Sequence, residues 1–145
     1  MAAEEKTIIT IHAQVEAPME LVWHCWVTPE DIMQWNTASD DWHTTRAENN
    51  LVEGGTFLSR MEAKDGSFGF DFGGVYNKVE KYQCIEYTIG DGRYVTIQFK
   101  KHGNGVHITE AFEAEQINSA ELQRSGWQAI LNNFKKYTEE KASQQ

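Results

Sequence analysis

Apolar and polar residues alternate from Thr7 to Glu16: Ile9, Ile11, Ala13 and Val15 share one parity, and Thr10, His12, Gln14 and Glu16 the other. A period of two predicts a strand with one buried face. Ala17-Pro18 then changes the period, because proline at the first helical position gives up only a donor that has no intrahelical partner. Leu21, Val22, Cys25 and Trp26 follow as the buried face of a short helix. Thr28-Pro29-Glu30-Asp31 repeats the signal: a capping threonine, a first-turn proline, then acids at the positive end of the helix dipole. Ile32, Met33 and Trp35 continue at helical spacing, so two short helices follow the first strand.

From Asp41 onward the pattern is strand after strand. Trp42 to Ala47 reads as a short strand, Gly54-Gly55 breaks the chain before Thr56 to Glu62, and Lys64-Asp65-Gly66 turns into Ser67 to Lys81. Gln83 to Ile89, Arg93 to Lys100 and Val106 to Glu115 follow, separated by Gly90-Asp91-Gly92 and His102-Gly103-Asn104-Gly105. Short glycine turns of this kind join sequential antiparallel hairpins. Asn118 or Ser119 caps a last helix, with Glu121 in capping-box register to Asn118. Along it Leu122, Gly126, Trp127, Ile130, Leu131, Phe134 and Tyr137 share one half of the cylinder, and Arg124, Gln128, Asn132 and Lys135 the other. That apolar arc is wider than the usual stripe of a surface helix, which suits a helix lying in a trough. Gly126 within it costs about 1 kcal/mol against alanine, so either a neighbour approaches closely there or space is left open.

The order β–α–α–β(six)–α describes a single α+β domain over residues 1–145: an antiparallel sheet with a long C-terminal helix and two short helices after strand 1. A chain of 145 residues with 40% hydrophobic and 12% aromatic content buries a substantial core, roughly 70% of its unfolded surface. No apolar run approaches the roughly 20 residues of a membrane span, and Met1 to Lys6 shows no hydrophobic signal core. A net charge of −9 argues against nucleic acid, whose phosphates require a basic face. Cys25 and Cys84 sit within apolar patterns and read as reduced thiols of a cytoplasmic protein.

Five stretches together carry a family resemblance: Ala17-Pro18 with Val22-Trp23 and Trp26; Pro29-Glu30 leading to Trp35; Gly54-Gly55-Thr56-Phe57; Phe72-Gly73-Gly74-Val75-Tyr76; and Gly126-Trp127 through Leu131 and Tyr137. In this order, over nearly the whole chain, they resemble the START-like, helix-grip (SRPBCC) superfamily, within the group named for homology to the activator of heat-shock protein 90 ATPase. The resemblance implies a curved sheet gripping the C-terminal helix, with a pocket between them. It implies little about chemistry.

The segment from Trp35 to His43, which borders the pocket entrance in helix-grip folds, joins two tryptophans to Asp40, Asp41 and His43. A carboxylate beside a histidine could tune it for proton transfer; equally, the acids could cap a turn while the tryptophans pack. On the strands, if Phe57, Ser59 and Met61 face the cavity, Arg60 and Glu62 are exterior, and Asp71 is exterior if Phe68, Phe70 and Phe72 point in. A bulge near Gly73-Gly74 would swap these faces; otherwise Gly69, Gly73 and Gly74 bend a long strand around the helix. Glu110 shares its parity with Val106, Ile108 and Phe112, so it points inward among apolar groups. A buried carboxyl must be paired, protonated or hydrogen-bonded: a general base, a ligand anchor, or half of a structural pair with Arg93 or the neighbours of His107. The five histidines and two cysteines never take a metal-ligand spacing, no nucleophile motif is present, and His24 reads as helix surface. No cofactor is expected.

The first functional expectation is a pocket for a small apolar or aromatic molecule, lined by Trp26, Trp35, Trp42, His43, Phe57, Ser59, Met61, Phe70, Phe72, Tyr94, Glu110, Trp127, Ile130 and Phe134. Phe99 adds to the aromatic supply, and Ser59, His43, Glu110 and Tyr94 are the polar contributors. The second is a cyclase- or dehydratase-type enzyme on a polyketide-like substrate, as some superfamily members are, with Asp41, His43 and Glu110 the candidate proton carriers. The third is a chaperone-associated interaction module like the eukaryotic relatives; those carry a separate partner-binding domain that this chain lacks, which ranks it last.

Overall fold

The alternation after Thr7 forms β1 (Ile8–Val15), with Ile9, Ile11, Ala13 and Val15 buried as its period requires. A computed structural model describes residues 7–144; the leader reading of residues 1–6 lies outside them. Two short helices follow, α1 (Met19–Val27) and α2 (Pro29–Trp35). Pro18 takes the N-cap of α1 rather than its first helical position. Thr28 caps α2 through its backbone alone, since its hydroxyl lies 3.4 Å from His24 Nδ1.

Six strands complete the sheet: β2 (Trp42–Asn49), β3 (Thr56–Ala63), β4 (Gly69–Glu80), β5 (Cys84–Ile89), β6 (Tyr94–His102) and β7 (Gly105–Glu113). They run antiparallel in the order β1-β7-β6-β5-β4-β3-β2, curled into a half-barrel around α3 (Ala120–Ser143). The expected α+β class and helix-grip arrangement are both present. Register slips between Thr44 and Arg46 and between Tyr76 and Lys78, where an extra residue bends a strand and deepens its twist. No slip falls at Gly73-Gly74: β3 pairs β4 unbroken from Thr56 with Val75 to Glu62 with Gly69. Those glycines answer to close packing instead. A Cβ on Gly74 would lie 2.3 Å from the Thr88 carbonyl oxygen, and one on Gly73 2.6 Å from that of Phe57.

The last helix departs from its wheel at one end. Ser119 is the cap, accepting from the Leu122 amide, so Glu121 is not in capping-box register with it. Leu122 is exposed, and the buried place next to it belongs to Gln123. The Gln123 side chain accepts from the Glu115 amide and donates to the Asn118 carbonyl, both at 2.8 Å. The loop's unpaired backbone groups thus decide the first turn, ahead of hydrophobic pattern. At Gly126 nothing lies within 4 Å of a built Cβ, so space is left open there.

Near its C-terminal end α3 is fastened to α2 through Asp31, which does more than face a helix dipole. Its carboxylate is buried and accepts from the Tyr137 hydroxyl and, at 2.8 Å, from Lys141 Nζ. His24 Nε2 stands 3.4 Å away on the exposed side, in keeping with a helix-surface histidine.

Candidate functional site

The concave face of the sheet and the three helices enclose a cavity of about 300 Å³, about the share of roughly ten liquid waters. Strand parity supplies one wall: Phe57, Ser59 and Met61 of β3, Phe70 and Phe72 of β4, with Tyr76, Ile85, Tyr87 and Glu110 behind them. Helical spacing supplies the other, with Trp26 from α1, Ile32 and Trp35 from α2, and Trp127, Ile130 and Leu131 from α3. Two exposed lining residues, Glu48 and Phe70, place the mouth on the β2–β4 side. On the opposite face Arg60 bridges Glu62 at 3.0 Å and Asp71 at 3.4 Å, as the parity reading expects.

The aromatic groups are fixed by one another. Trp127 stacks on Phe112 with centroids 3.9 Å apart, and Phe57 meets Tyr87 edge-on at 4.7 Å. Trp35 donates through Nε1 to the Cys25 carbonyl at 2.9 Å. Beneath it, Phe134 packs edge-on against Trp35 and Trp26 at 5.0 and 4.8 Å and is fully buried. Aromatic pairs in these geometries add to area burial and hold ring orientations, so this wall is preformed.

Polar groups around the cavity are mostly satisfied. Asn36 donates to Ser59 Oγ at 3.2 Å, and Tyr76 donates to Asn49 Oδ1 at 2.6 Å. Asn49 in turn donates to the Val27 carbonyl, and Arg93 is held by Asp91 at 2.9 Å. Glu110 and the Tyr87 hydroxyl are the exceptions. Glu110 is 6% exposed and has no hydrogen-bonding or ionic side-chain partner among the described residues. Of the three states open to a buried carboxyl, this leaves the protonated one: burial pushes its pKa up to about 8. Arg93 pairs with Asp91 and His107 approaches His12 at 3.3 Å, so neither structural pairing weighed for Glu110 is made. Burial pushes the Tyr87 phenol well above its usual value, and the Glu110 charge adds to that.

Ten of the fourteen residues expected at the pocket line this cavity; Trp42, His43, Tyr94 and Phe134 do not. Trp42 packs outside with Phe68 and Phe70 at 5.9 and 5.8 Å. His43 is exposed opposite Glu62, because the next residue, Thr44, takes the inward position on β2. Asp41 is also exposed and accepts from Ser39 Oγ at 2.5 Å, the turn-capping reading of that segment. Tyr94 is on the outward parity, next to inward Val95, and donates to Glu86. Phe134 and Phe99 belong to the filled core. Nine lining residues were missed: Ile32, Asn36, Glu48, Asn49, Tyr76, Ile85, Tyr87, Arg93 and Leu131. The alternation of Ile85, Tyr87 and Ile89 carries that signal for β5, and parity continued into β4 would have reached Tyr76. Among the described residues, no three His, Cys, Asp or Glu side chains converge as a metal site requires, and no helix is long and apolar enough to cross a membrane.

Residues 16–139 match the family described as Activator of Hsp90 ATPase homolog 1-like protein. The chain belongs to this family. Its fold is shared by the AHSA1-like protein from Aeromonas hydrophila, 44% identical over 93% of this chain and 94% of that one, with a TM-score of 0.88. A Cytophaga hutchinsonii protein is 52% identical over 94% and 95% of the two chains, with a TM-score of 0.80. A Nitrosomonas europaea protein keeps the fold, with a TM-score of 0.80, at 15% identity over 94% and 96% of the two chains. Among curated proteins nothing matches.

Proposed function

We propose that this member of the family binds a small hydrophobic or aromatic molecule in the cavity between the sheet and α3. The observation that carries the reading is a cavity of about 300 Å³, open at one mouth and walled by preformed aromatic rings, at the small end of known ligand pockets. A fully folded core of this size has few voids larger than a water, so a space like this needs an occupant or a reason. The two buried free cysteines fit a reducing compartment such as the cytoplasm.

The test is a ¹H–¹⁵N NMR titration with naphthalene, a bicyclic body of suitable size. Saturable shifts of the Trp26, Trp35 and Trp127 indole N–H signals are expected, while Trp23, packed outside the cavity against Phe99 and Tyr82, stays still. Ile130→Trp, which projects an indole into the cavity from α3, should remove the response in a folded protein. Absence of saturable shifts in the unmodified chain would refute the reading.

One observation favours an enzyme as the second reading: Glu110 is inward, unpaired and raised by burial to about 8, within reach of the pH at which a proton carrier works. Asp41 and His43, both solvent-facing, have no part in it. Chaperone association has only the family's name behind it.

A further inference from the structure

Four polar or charged side chains around the cavity are already engaged: Glu48 with Arg46, Ser59 with Asn36, Tyr76 with Asn49, and the Arg93 guanidinium with Asp91. Two are not. The Glu110 carboxyl and the Tyr87 hydroxyl have no hydrogen-bond partner among the described residues, although the two residues are only 6% and 8% exposed. Leaving such groups unmade inside a protein is costly. Both stand on the inward parity, Tyr87 on β5 and Glu110 on β7, with β6 between them. Tyr87 pairs with Val95 and Val95 with Phe112, two residues along β7 from Glu110. They face the same space.

We propose that Glu110 and Tyr87 act as a pair of hydrogen-bond donors that selects ligands presenting an uncharged acceptor, a carbonyl oxygen, on an aromatic body. This rests on the cavity being a ligand site and adds what it selects. A phenol donates, and a carboxylic acid kept neutral by an apolar site donates too. An ammonium ligand would require Glu110 ionised in apolar surroundings, the form that burial disfavours. The other titratable or charged groups on the cavity wall are Tyr76 of β4, Arg93 ahead of β6 and Glu48 of β2. The helices contribute no charged side chain to it.

Three probes with one body separate the possibilities: naphthalene, 1-acetylnaphthalene and 1-naphthylmethylamine, titrated into the full chain by NMR or calorimetry at pH 6 and pH 9. At pH 6 the ketone should bind roughly tenfold tighter than naphthalene, and the amine more weakly than either. The ketone's advantage should fall at pH 9 as Glu110 ionises. Glu110→Gln still donates through its amide, so it should keep the advantage at both pH values. In Glu110→Leu the ketone should lose most of its advantage over naphthalene, and in Tyr87→Phe part of it. Equal binding of ketone and naphthalene by the unmodified chain overturns this inference and leaves the cavity reading standing. So does an amine that binds best and tightens as pH rises. Binding of none of the three overturns both. Should Glu110→Leu not fold, the contrasting pH profiles of the unmodified chain and Glu110→Gln decide.

Discussion

Replacing Glu110 by glutamine isolates one carboxyl whose protonation is coupled to folding. In the folded chain this carboxyl titrates at about 8, against 4.5 for an exposed glutamate. Between those values the folded state holds a proton that the unfolded state has released. The folded state therefore binds more protons, and stability falls as pH rises through the window. The contribution is complete below about pH 4.5 and gone above about pH 8. At about 1.36 kcal/mol per pKa unit the whole interval amounts to on the order of 4–5 kcal/mol. Water admitted at the cavity mouth solvates the carboxylate and makes this a ceiling. Glutamine has nearly the same shape and is neutral throughout. The variant should match the parent near pH 5 and exceed it by several kcal/mol near pH 8.5. Urea unfolding followed by tryptophan fluorescence reads this directly. With a slope of about 1–3 kcal/mol per molar, the midpoints should separate by about 1 M or more at the alkaline end. Titrations elsewhere cancel in the difference between the two proteins. Parallel pH profiles, with a constant gap from pH 5 to 8.5, would refute the assignment of an unpaired, buried Glu110.

Other outcomes follow from single contacts. Gly126→Ala should stabilise the fold by about 1 kcal/mol, seen as a raised thermal midpoint, since its new methyl group meets nothing within 4 Å. Gly74→Ala should do the opposite, costing several kcal/mol or preventing folding, because its Cβ would press on the Thr88 carbonyl at 2.3 Å. Asp31→Ala leaves Tyr137 and Lys141 without their common acceptor; it should cost about 2–3 kcal/mol and speed amide exchange in the last turns of α3. Tyr94→Phe removes a contact to Glu86 on the outer face and should leave naphthalene binding unchanged in the same titration.

Much of the fold was legible because two periods carry it. The alternation of Ile9, Ile11, Ala13 and Val15 and the turns around Gly66, Gly92 and Gly103, all at positive φ, are local signals that tertiary context did not overrule. The site was legible wherever the same parity was followed. Phe57, Ser59 and Met61 set the register of β3, and Glu110 that of β7. The misplacements arose where residue type outweighed parity. Tyr94 and His43 are polar-aromatic residues of the kind found in pockets, yet each is one position out of phase with a buried neighbour, Val95 and Thr44. Leu122 failed for another reason: helix ends must satisfy backbone groups, and Gln123 does so where leucine cannot. Nothing in the local pattern discloses that Asp31 would meet Tyr137 and Lys141 across more than a hundred residues, since only the folded helix pair brings them together.

Two departures from ordinary interior packing coincide in this protein. One is a space large enough for a bicyclic molecule; the other is an acid set among Ile11, Ile97, Ile108 and Phe112 with no cation or donor among the described residues to hold it. Either alone has a purely structural account: a void can follow from the curvature of a sheet around a helix, and a buried acid can be tolerated once protonated. Together they constrain each other. If the space served only to relieve packing, an apolar side chain at position 110 would line it more cheaply, because it would carry no desolvation cost above pH 5. If the acid served only as a structural contact, a paired cation or donor would be expected, yet Arg93, which also lines the cavity, is engaged with Asp91. A molecule with an apolar body and one polar atom would fill the first and satisfy the second, so the ketone's preference and its loss at alkaline pH are expected to appear in the same titration.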